Sequence, residues 1–200
     1  MSQSRDRYAT RPSPYTTDTH ITSYLLRNAW QRGAHQWSAD VERREDRLDN
    51  ASTTPTRTRR AQDALALGYG LRSGQHTLQL NLRHDQDSAF GGNTTGSAAY
   101  AYALSPTWRA SASAGTAFRV PTLFQRFSIY GTPELRAESG HNIEMGLKYA
   151  TPDRHFGVVA YRNRVANLIT YVSGPGKCAN GTGNVPGCYG NTARAQYSGV

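Results

Sequence analysis

The residue types that most often carry enzyme chemistry are present, but their spacing does not assemble a catalytic site. None of the six histidines belongs to a His-Glu-x-x-His pair, the spacing that holds a catalytic zinc on one face of a helix. A Ser-His-Asp set can be assigned only from folded geometry, so none is assigned. Gly68 and Gly70 lack the third glycine of a dinucleotide fingerprint and lie in an alternating, strand-like segment. We therefore predict that the chain is not an enzyme, and we assign it no cofactor.

Two pairs of residues could bind a metal ion or, for the cysteines, form a covalent bond. Asp85 and Asp87 could bind Ca²⁺, but two carboxylates beside a loop are more often solvated, so no metal is assigned there. Cys178 and Cys188 are the only cysteines, and no Cys-x-x-Cys spacing or nearby histidine supports a metal site. They flank a glycine-rich stretch that can bring them within bonding distance in an oxidising compartment. A disulfide between them is therefore predicted.

The composition excludes a helical membrane protein and is unusual for a disordered chain. Only 37% of the 200 residues are hydrophobic, the mean hydropathy is -0.67, and no apolar run approaches the roughly 20 residues of a membrane helix. A disordered chain would be similarly polar, but it would not usually carry 12 Tyr, 3 Trp and 5 Phe. A transmembrane β-barrel fits both facts, because only every second residue of each strand meets lipid.

The formal net charge of +9 comes almost entirely from arginine. A basic balance is found in proteins that bind nucleic acid, an anionic membrane surface or an acidic ligand. Here the arginines are scattered among strand-like segments and their ends. There is no basic helix, zinc-finger spacing or aromatic-plus-basic stacking motif, so nucleic acid is not predicted as a partner.

Apolar and polar residues alternate with a period of two along most of the chain, which indicates β-strands. The clearest stretch puts Leu78, Leu80 and Leu82 on one face, while Gln79 and Asn81 lie on the other. The polar face is rich in small residues, which favours a wide lumen because a narrow barrel must fill its interior with side chains. Similar alternation occurs at Leu65, Leu67, Tyr69 and Leu71 and at Ile143, Met145, Leu147 and Tyr149.

The connections between the strands alternate between short and long. Tight turn signals occur at Arg32-Gly33, Ser73-Gly74, Ser105-Pro106 and Thr151-Pro152-Asp153, and longer stretches at residues 49–58, 86–94, 119–137 and 173–187. In an outer-membrane barrel the short turns face the periplasm and the long loops face outside. A soluble all-β domain with one wetted face gives no reason for this sorting. We predict an all-β antiparallel meander of about nine strands beginning near Thr19, each long enough for a crossing of roughly 9–11 residues.

Several motifs, in the right order, resemble segments of TonB-dependent outer-membrane receptors. Residues 115–123 are similar to a strand end that breaks into an external loop at Phe-Arg-x-Pro, with Val120 in place of the more common alanine. Residues 130–139 and Glu144-Met145-Gly146 resemble the family's Gly-x-Pro-x-Leu-x-Pro-Glu-x-Ser and Glu-x-Gly pattern, with Ala137 in place of the usual proline. The resemblance covers residues 60–200 well and residues 1–59 by pattern only. Within the family it is greatest to the cobalamin (vitamin B12) receptors, although siderophore receptors share most of these segments.

The resemblance implies that residues 1–200 are a partial receptor β-barrel domain, an incomplete part of a transmembrane barrel of about 22 strands in the bacterial outer membrane. Such receptors have a signal peptide and a plug domain, which this sequence lacks, so we expect the chain to be a piece of a longer protein. The implied function is active uptake of cobalamin or a related, siderophore-like metal chelate, energised by TonB through the missing plug. Outer-membrane lipid and lipopolysaccharide would surround the barrel.

Four residues after the Phe-Arg-x-Pro motif are candidates for ligand binding: Arg119, Phe124, Phe127 and Tyr130. We expect their loop to project above the barrel. Aromatic faces and an arginine suit a large amphipathic ligand that carries a phosphate, as cobalamin does. The alternative is that Phe124 and Phe127 only pack the loop onto the barrel rim.

Two other functions stay open at this point. One is a passive porin or a small closed outer-membrane barrel, and the other is a secreted β-rich binding protein. A plug-coding region upstream would favour the receptor, whereas a bare signal peptide would favour the porin.

Overall fold

The structure, a computed structural model, is an antiparallel sheet of ten strands with one short helix, and it describes residues 1–12, 15–176, 178–179 and 185–200. No helix among these residues is long and apolar enough to cross a membrane. The sequence predicted about nine strands, and β1 is the one that it missed. The elements are β1 (Ser2–Thr10), β2 (Tyr15–Arg32), β3 (His35–Asn50), β4 (Arg57–Ser73), β5 (His76–Asp87), β6 (Gly91–Ala103), β7 (Trp108–Arg119), α1 (Leu123–Phe127), β8 (Glu138–Ala150), β9 (His155–Gly176) and β10 (Val185–Gly199).

The strands form a simple meander in which each strand pairs with its neighbour in sequence. β1 and β10 are the two edges of the sheet and do not pair with each other, so the sheet is open. An open sheet of ten strands is the arrangement predicted for part of a larger barrel.

The two faces of the sheet differ in chemistry. Residues directly opposite in neighbouring strands share a face, and the register pairs Leu65 with His84 and Leu67 with Leu82. The face that these leucines occupy, here called the outer face, exposes many large apolar side chains, as a lipid-facing surface does. The opposite, inner face carries charged and small residues and also the helix α1. The outer face exposes Leu26, Val41, Leu65, Leu67, Leu80, Leu82, Ile143, Met145, Leu147, Phe156 and Val158.

Aromatic rings collect on the outer face at the ends of the strands that the short turns join. Trp30 stacks on Trp37 with the ring centroids 6.2 Å apart, and Trp37 contacts Tyr69 at 6.1 Å. Further along, Trp108 and Tyr149 are 5.0 Å apart. An aromatic girdle is typical of the level where a transmembrane barrel meets the membrane interface. This end of the sheet is therefore the short-turn boundary, and the opposite end is called the loop end.

The short turns are confirmed, and two of the predicted long loops are strand at their described ends. Gly33 and Gly74 have φ of +58° and +55°, the left-handed conformation that tight hairpins require. Residues 86–94 were expected to form a long loop, but β5 and β6 leave only residues 88–90 between them. Asp87 explains this, because its carboxylate accepts the backbone N–H groups of Ala89 and Phe90 at 2.8 and 3.2 Å. Likewise β9 and β10 occupy the described ends of the predicted loop at 173–187, whereas residues 177 and 180–184 lie outside the described part.

Candidate ligand-binding site at the loop end of the inner face

A cavity of about 730 Å³ lies on the inner face, near the loop end of the sheet. Its volume falls within the range of small-molecule sites, roughly 300–1,000 Å³. Strands β2 to β7 form its wall, and the segment that leaves β7 toward α1 covers it. The lining residues that matter for charge and shape are Arg44, Asp46, Arg60, Arg83, Asp85, Arg119, Leu123 and Phe124.

The loop of residues 120–137 lies across the inner face, so the expectation that it projects above the barrel is wrong. Its helix α1 begins with a capping box, in which the Thr122 hydroxyl accepts the Gln125 N–H at 3.1 Å and Gln125 Oε1 accepts the Thr122 N–H at 2.9 Å. The helix contacts β3 and β4, and Leu123 is buried. Ser128, just beyond the helix, pairs with Thr53 in the β3–β4 connection.

A buried arginine fixes the start of this loop. Arg60 donates from Nη1 to the carbonyl of Pro121 at 2.6 Å and from Nη2 to Asp46 Oδ2 at 2.6 Å. Its Nε also lies 3.4 Å from Asp87 Oδ2, an ion pair without hydrogen-bond geometry. All three charged residues are buried. No local sequence pattern indicates this contact, because Arg60 and Pro121 are 61 residues apart.

The candidate Arg119 lines the cavity, but its guanidinium group is already paired. It donates to both carboxylate oxygens of Glu138, at 2.6 and 2.5 Å. Glu138 also accepts the backbone N–H of Ile169 at 2.7 Å, which ties β7, β8 and β9 together. Arg44 and Arg83 are paired with Asp46 and Asp85 in the same wall, at 2.8 Å each. A charged ligand would therefore have to compete with a carboxylate for each of these arginines.

Four rings form an aromatic cluster beside the cavity: Phe124, Tyr130, Tyr171 and Tyr189. Phe124 lies edge-on to Tyr189 at 6.4 Å, Tyr189 to Tyr171 at 5.5 Å, and Tyr171 to Tyr130 at 6.0 Å. Phe124 also lines the cavity, so the cluster is continuous with its wall. Two candidates from the sequence, Phe124 and Tyr130, are thus brought together, and Tyr171 and Tyr189 were missed. No local sequence signal marks Tyr171 or Tyr189, because they contact Tyr130 and Phe124, which are distant in sequence.

The remaining candidate, Phe127, lies outside the aromatic cluster. Its ring is covered by the guanidinium group of Arg126, 4.8 Å from the centroid, and the same group lies 5.0 Å from the Phe90 ring. Burial, together with the nearby charge of Arg60, lowers the pKa of Arg126 from its ordinary value. Arg126 also donates to the carbonyl of Pro133 at 3.1 Å. Phe127 and Arg126 therefore pack the loop against the β5–β6 turn. This agrees with the alternative in which Phe127 only packs the loop onto the barrel rim.

Two hydrogen bonds connect the loop of residues 120–137 to β10 at the far edge of the sheet. Tyr189 donates its N–H to the Tyr130 carbonyl at 2.9 Å, and Thr132 donates its hydroxyl to the Tyr189 carbonyl at 2.7 Å. Cys178 and Cys188 form the predicted disulfide, with their Cα atoms 5.6 Å apart. The disulfide thus holds the start of β10 beside the aromatic cluster.

The acidic pair considered for Ca²⁺ has other partners in the structure. Asp85 accepts hydrogen bonds from Gln62 at 2.7 Å and from Arg83 at 2.9 Å. Asp87 accepts the N–H groups of the β5–β6 turn and forms an ion pair with Arg60. Across the described ranges, no group of three His, Cys, Asp or Glu side chains is placed to hold a metal ion.

The family model and the sequence relatives that match this chain point to the same family. Residues 2–200 match the family model described as TonB dependent receptor-like, beta-barrel. The vitamin B12 transporter BtuB of Vibrio cholerae is 27% identical over 155 residues, which are 76% of this chain and 24% of that protein. BtuB of Vibrio vulnificus is 32% identical over 102 residues, 50% of this chain and 17% of that protein. The chain thus spans about a quarter of the length of the first of these relatives.

Solved structures of siderophore receptors share the fold. The receptor PirA from Pseudomonas aeruginosa superposes with a TM-score of 0.80 at 21% identity, over 98% of this chain and 38% of that one. A ferric enterobactin receptor (PfeA) mutant from Pseudomonas aeruginosa, in complex with enterobactin, gives a TM-score of 0.73 at 19% identity, over 93% and 33%. At this level of identity the likeness concerns the fold alone.

Proposed function

The chain belongs to the TonB-dependent receptor β-barrel family, and from this membership we propose that it forms part of the wall and external loops of an active-transport receptor. Proteins of this family reside in the bacterial outer membrane. In the proposal, residues 1–200 are a partial barrel domain, and TonB supplies energy through a plug domain encoded elsewhere in the full-length protein. The chain itself acts in binding and transport, and it is not an enzyme.

The substrate that we propose is cobalamin or a related metal chelate. The aromatic cluster beside the inner-face cavity carries this proposal. Rings at edge-on angles offer both faces and edges to a large, flat, partly apolar ligand, and such contacts contribute about 0.5–1.5 kcal/mol each beyond the area they bury. The name of the BtuB relatives supports cobalamin. A ferric siderophore is the alternative, because PirA and PfeA, which share the fold, are named as siderophore and ferric enterobactin receptors.

Each candidate residue has a different part in this proposal. Phe124 and Tyr130, together with Tyr171 and Tyr189, would contact the ligand directly through their rings. Arg119 would contact an anionic group of the ligand only by sharing its guanidinium group with Glu138, because a bidentate pair leaves few free N–H donors. Phe127 would support the loop from behind without touching the ligand.

A binding experiment on the full-length receptor tests the proposal. Cyanocobalamin and ferric enterobactin are titrated into the detergent-solubilised protein, and affinity is measured by calorimetry. Tyr171→Ala should weaken binding by roughly 5- to 30-fold, the effect of losing one aromatic contact of about 1–2 kcal/mol. Tyr102→Ala, which removes a ring from the girdle at the short-turn end, is the matched control and should change affinity less than about twofold.

The outcomes separate the alternatives. Binding of cyanocobalamin supports the cobalamin assignment, and binding of ferric enterobactin alone moves the substrate to the siderophores. If neither probe binds, the proposed substrates are wrong. If Tyr171→Ala and Tyr102→Ala have equal effects, the aromatic cluster is not the site.

A further inference from the structure

Four basic side chains lie together on the outer face of the last three strands: His141 on β8, Arg162 and Arg164 on β9, and Arg194 on β10. The register puts Arg164 directly opposite His141 and Gln196, while Arg194 opposes Ala166, the next outer-face residue along β9. Directly opposed side chains have Cβ atoms about 4.5–5.5 Å apart, and diagonal neighbours about 7–8 Å. All four side chains are exposed. They are called the outer basic patch.

The outer basic patch has no acidic partner among the described residues. Both Arg162 and Arg164 donate to the same neutral acceptor, Gln196 Oε1, at 2.9 and 3.2 Å. No outer-face position of β8, β9 or β10 holds an aspartate or glutamate, since Glu138 and Glu144 belong to the inner face. Two guanidinium groups therefore converge without a counter-charge between them.

Several arginines elsewhere on the outer face have an acidic partner. On β1 to β4, Arg5 pairs with Asp18 at 2.5 Å, Arg43 with Asp63 at 3.1 Å and Arg57 with Asp49 at 2.8 Å. Arg162 and Arg164 differ from these three arginines, because their two guanidinium groups meet on one neutral acceptor.

The outer basic patch lies where the apolar surface ends. On β8, Ile143, Met145 and Leu147 are exposed between His141 and the girdle residue Tyr149. The eight residue-to-residue steps from Tyr149 to His141 span about 26 Å along the strand. For a strand tilted by roughly 35–45°, this is about 20 Å of the height of an apolar band about 25 Å tall. The long arginine side chains reach the remaining distance, since such side chains extend their charged ends toward the membrane interface.

We propose that the outer basic patch binds the phosphate groups of a phosphorylated lipid headgroup in the loop-side leaflet of the outer membrane. Guanidinium groups match phosphate oxygens with two parallel hydrogen bonds, and Gln196 holds two of them at one point. A phosphate there supplies the counter-charge that the protein itself does not provide. This inference concerns the outer face and is independent of the ligand bound on the inner face.

The test uses the full-length receptor in detergent with diphosphoryl lipid A as the probe and native mass spectrometry as the readout. Arg162→Gln combined with Arg164→Gln should reduce lipid A binding at least tenfold, and Arg194→Gln alone should reduce it several-fold. Arg57→Gln, which removes an outer-face arginine that Asp49 already neutralises, is the matched control and should leave binding within twofold. Heat-modifiability on gels establishes that each variant is folded.

Two further measurements identify the chemistry. A lipid A analogue without phosphates should bind the wild-type receptor as weakly as diphosphoryl lipid A binds the double variant. Inorganic phosphate at millimolar concentration should not displace lipid A, because it lacks the acyl chains that contact Ile143 and Val158. Equal lipid A binding by the wild type and the double variant overturns the proposal, and so does displacement by free phosphate.

Discussion

Replacing Arg60 with methionine should release the loop of residues 120–137 from the inner face. The side chain of Arg60 is only 7% exposed, and its loss leaves the Asp46 and Asp87 carboxylates and the Pro121 carbonyl without their common donor. Arg44 still pairs with Asp46, whereas Asp87 Oδ2 has no other partner within hydrogen-bond geometry. Removing one member of a buried ion pair costs roughly 3–5 kcal/mol, because an uncompensated charge remains.

The loop can avoid this cost by opening, which lets water reach both carboxylates. The expected result is therefore local opening at residues 120–137 with the sheet intact. At about 1.4 kcal/mol for each factor of ten, a loss of 3 kcal/mol corresponds to a rise of more than about a hundredfold in amide exchange. Hydrogen–deuterium exchange on the full-length receptor measures it at the N–H groups of Arg126 and Ser128, which the folded helix protects.

Two controls separate charge from packing. Arg57→Met removes an ion pair whose arginine is 84% exposed, and exposed pairs contribute only about 0–1 kcal/mol, so exchange in the loop should not change. Adding Asp87→Asn to Arg60→Met should restore part of the protection, because the stranded charge is gone while an oxygen remains for the β5–β6 turn. If Arg60→Met exchanges like Arg57→Met, the buried network does not hold the loop.

Three other predictions follow from the two faces, the disulfide and the open edges. Leu80→Arg should cost roughly 2–4 kcal/mol near the bilayer midplane while Asn81→Arg stays mild, as judged by refolding stabilities of the full-length receptor; the opposite order would reverse the assignment of faces. Cys178→Ser should lower stability by no more than about 2–3 kcal/mol and only locally, so proteolysis should accelerate near Cys188 alone, and a general loss of resistance would contradict this. Residues 1–200 made alone should aggregate or associate edge to edge, because β1 and β10 leave backbone groups that lipid cannot satisfy; a compact, heat-modifiable monomer that conducts solute would refute it.

The sequence predicted the strands well wherever one face meets lipid. Leu78, Leu80 and Leu82 alternate with polar residues because the outer face there is apolar, and the structure confirms β5 at this place. Beyond the apolar band both faces of a strand are polar, so alternation disappears and the strand resembles a loop. This explains why residues 86–94 were read as a loop, and why β1, whose residues include Arg5, Asp6 and Arg7, was not recognised.

The candidate site was harder to predict, because its geometry depends on contacts distant in sequence. The motif at Phe118-Arg119 located the start of the loop, but nothing nearby in sequence indicated that Arg60 would draw the loop inward. The sequence does not distinguish Phe124 from Phe127 as a ligand-binding residue. The structure does, because Phe124 contacts Tyr189 and Phe127 lies beneath Arg126.

The loop of residues 120–137 connects two parts of the sheet, β3–β4 and β10, that have five strands between them. At one end α1 packs on β3 and β4. At the other end the backbone of Arg136 forms two hydrogen bonds, at 2.8 and 3.0 Å, with the side chain of Asn191 in β10. The aromatic cluster lies between these anchors and contains rings from both the loop and β9–β10. A ligand on the cluster would therefore contact the loop and β9–β10 at once. The Arg60 network and the hydrogen bonds between Arg136 and Asn191 already order the loop before the ligand binds. Because a preorganised site loses less entropy on binding, Arg60→Met should weaken ligand binding even though Arg60 lies outside the aromatic cluster. Calorimetry with the ligand that binds the wild-type receptor tests this link, and unchanged affinity in a variant whose loop exchanges freely would show that the loop anchors do not prepare the site.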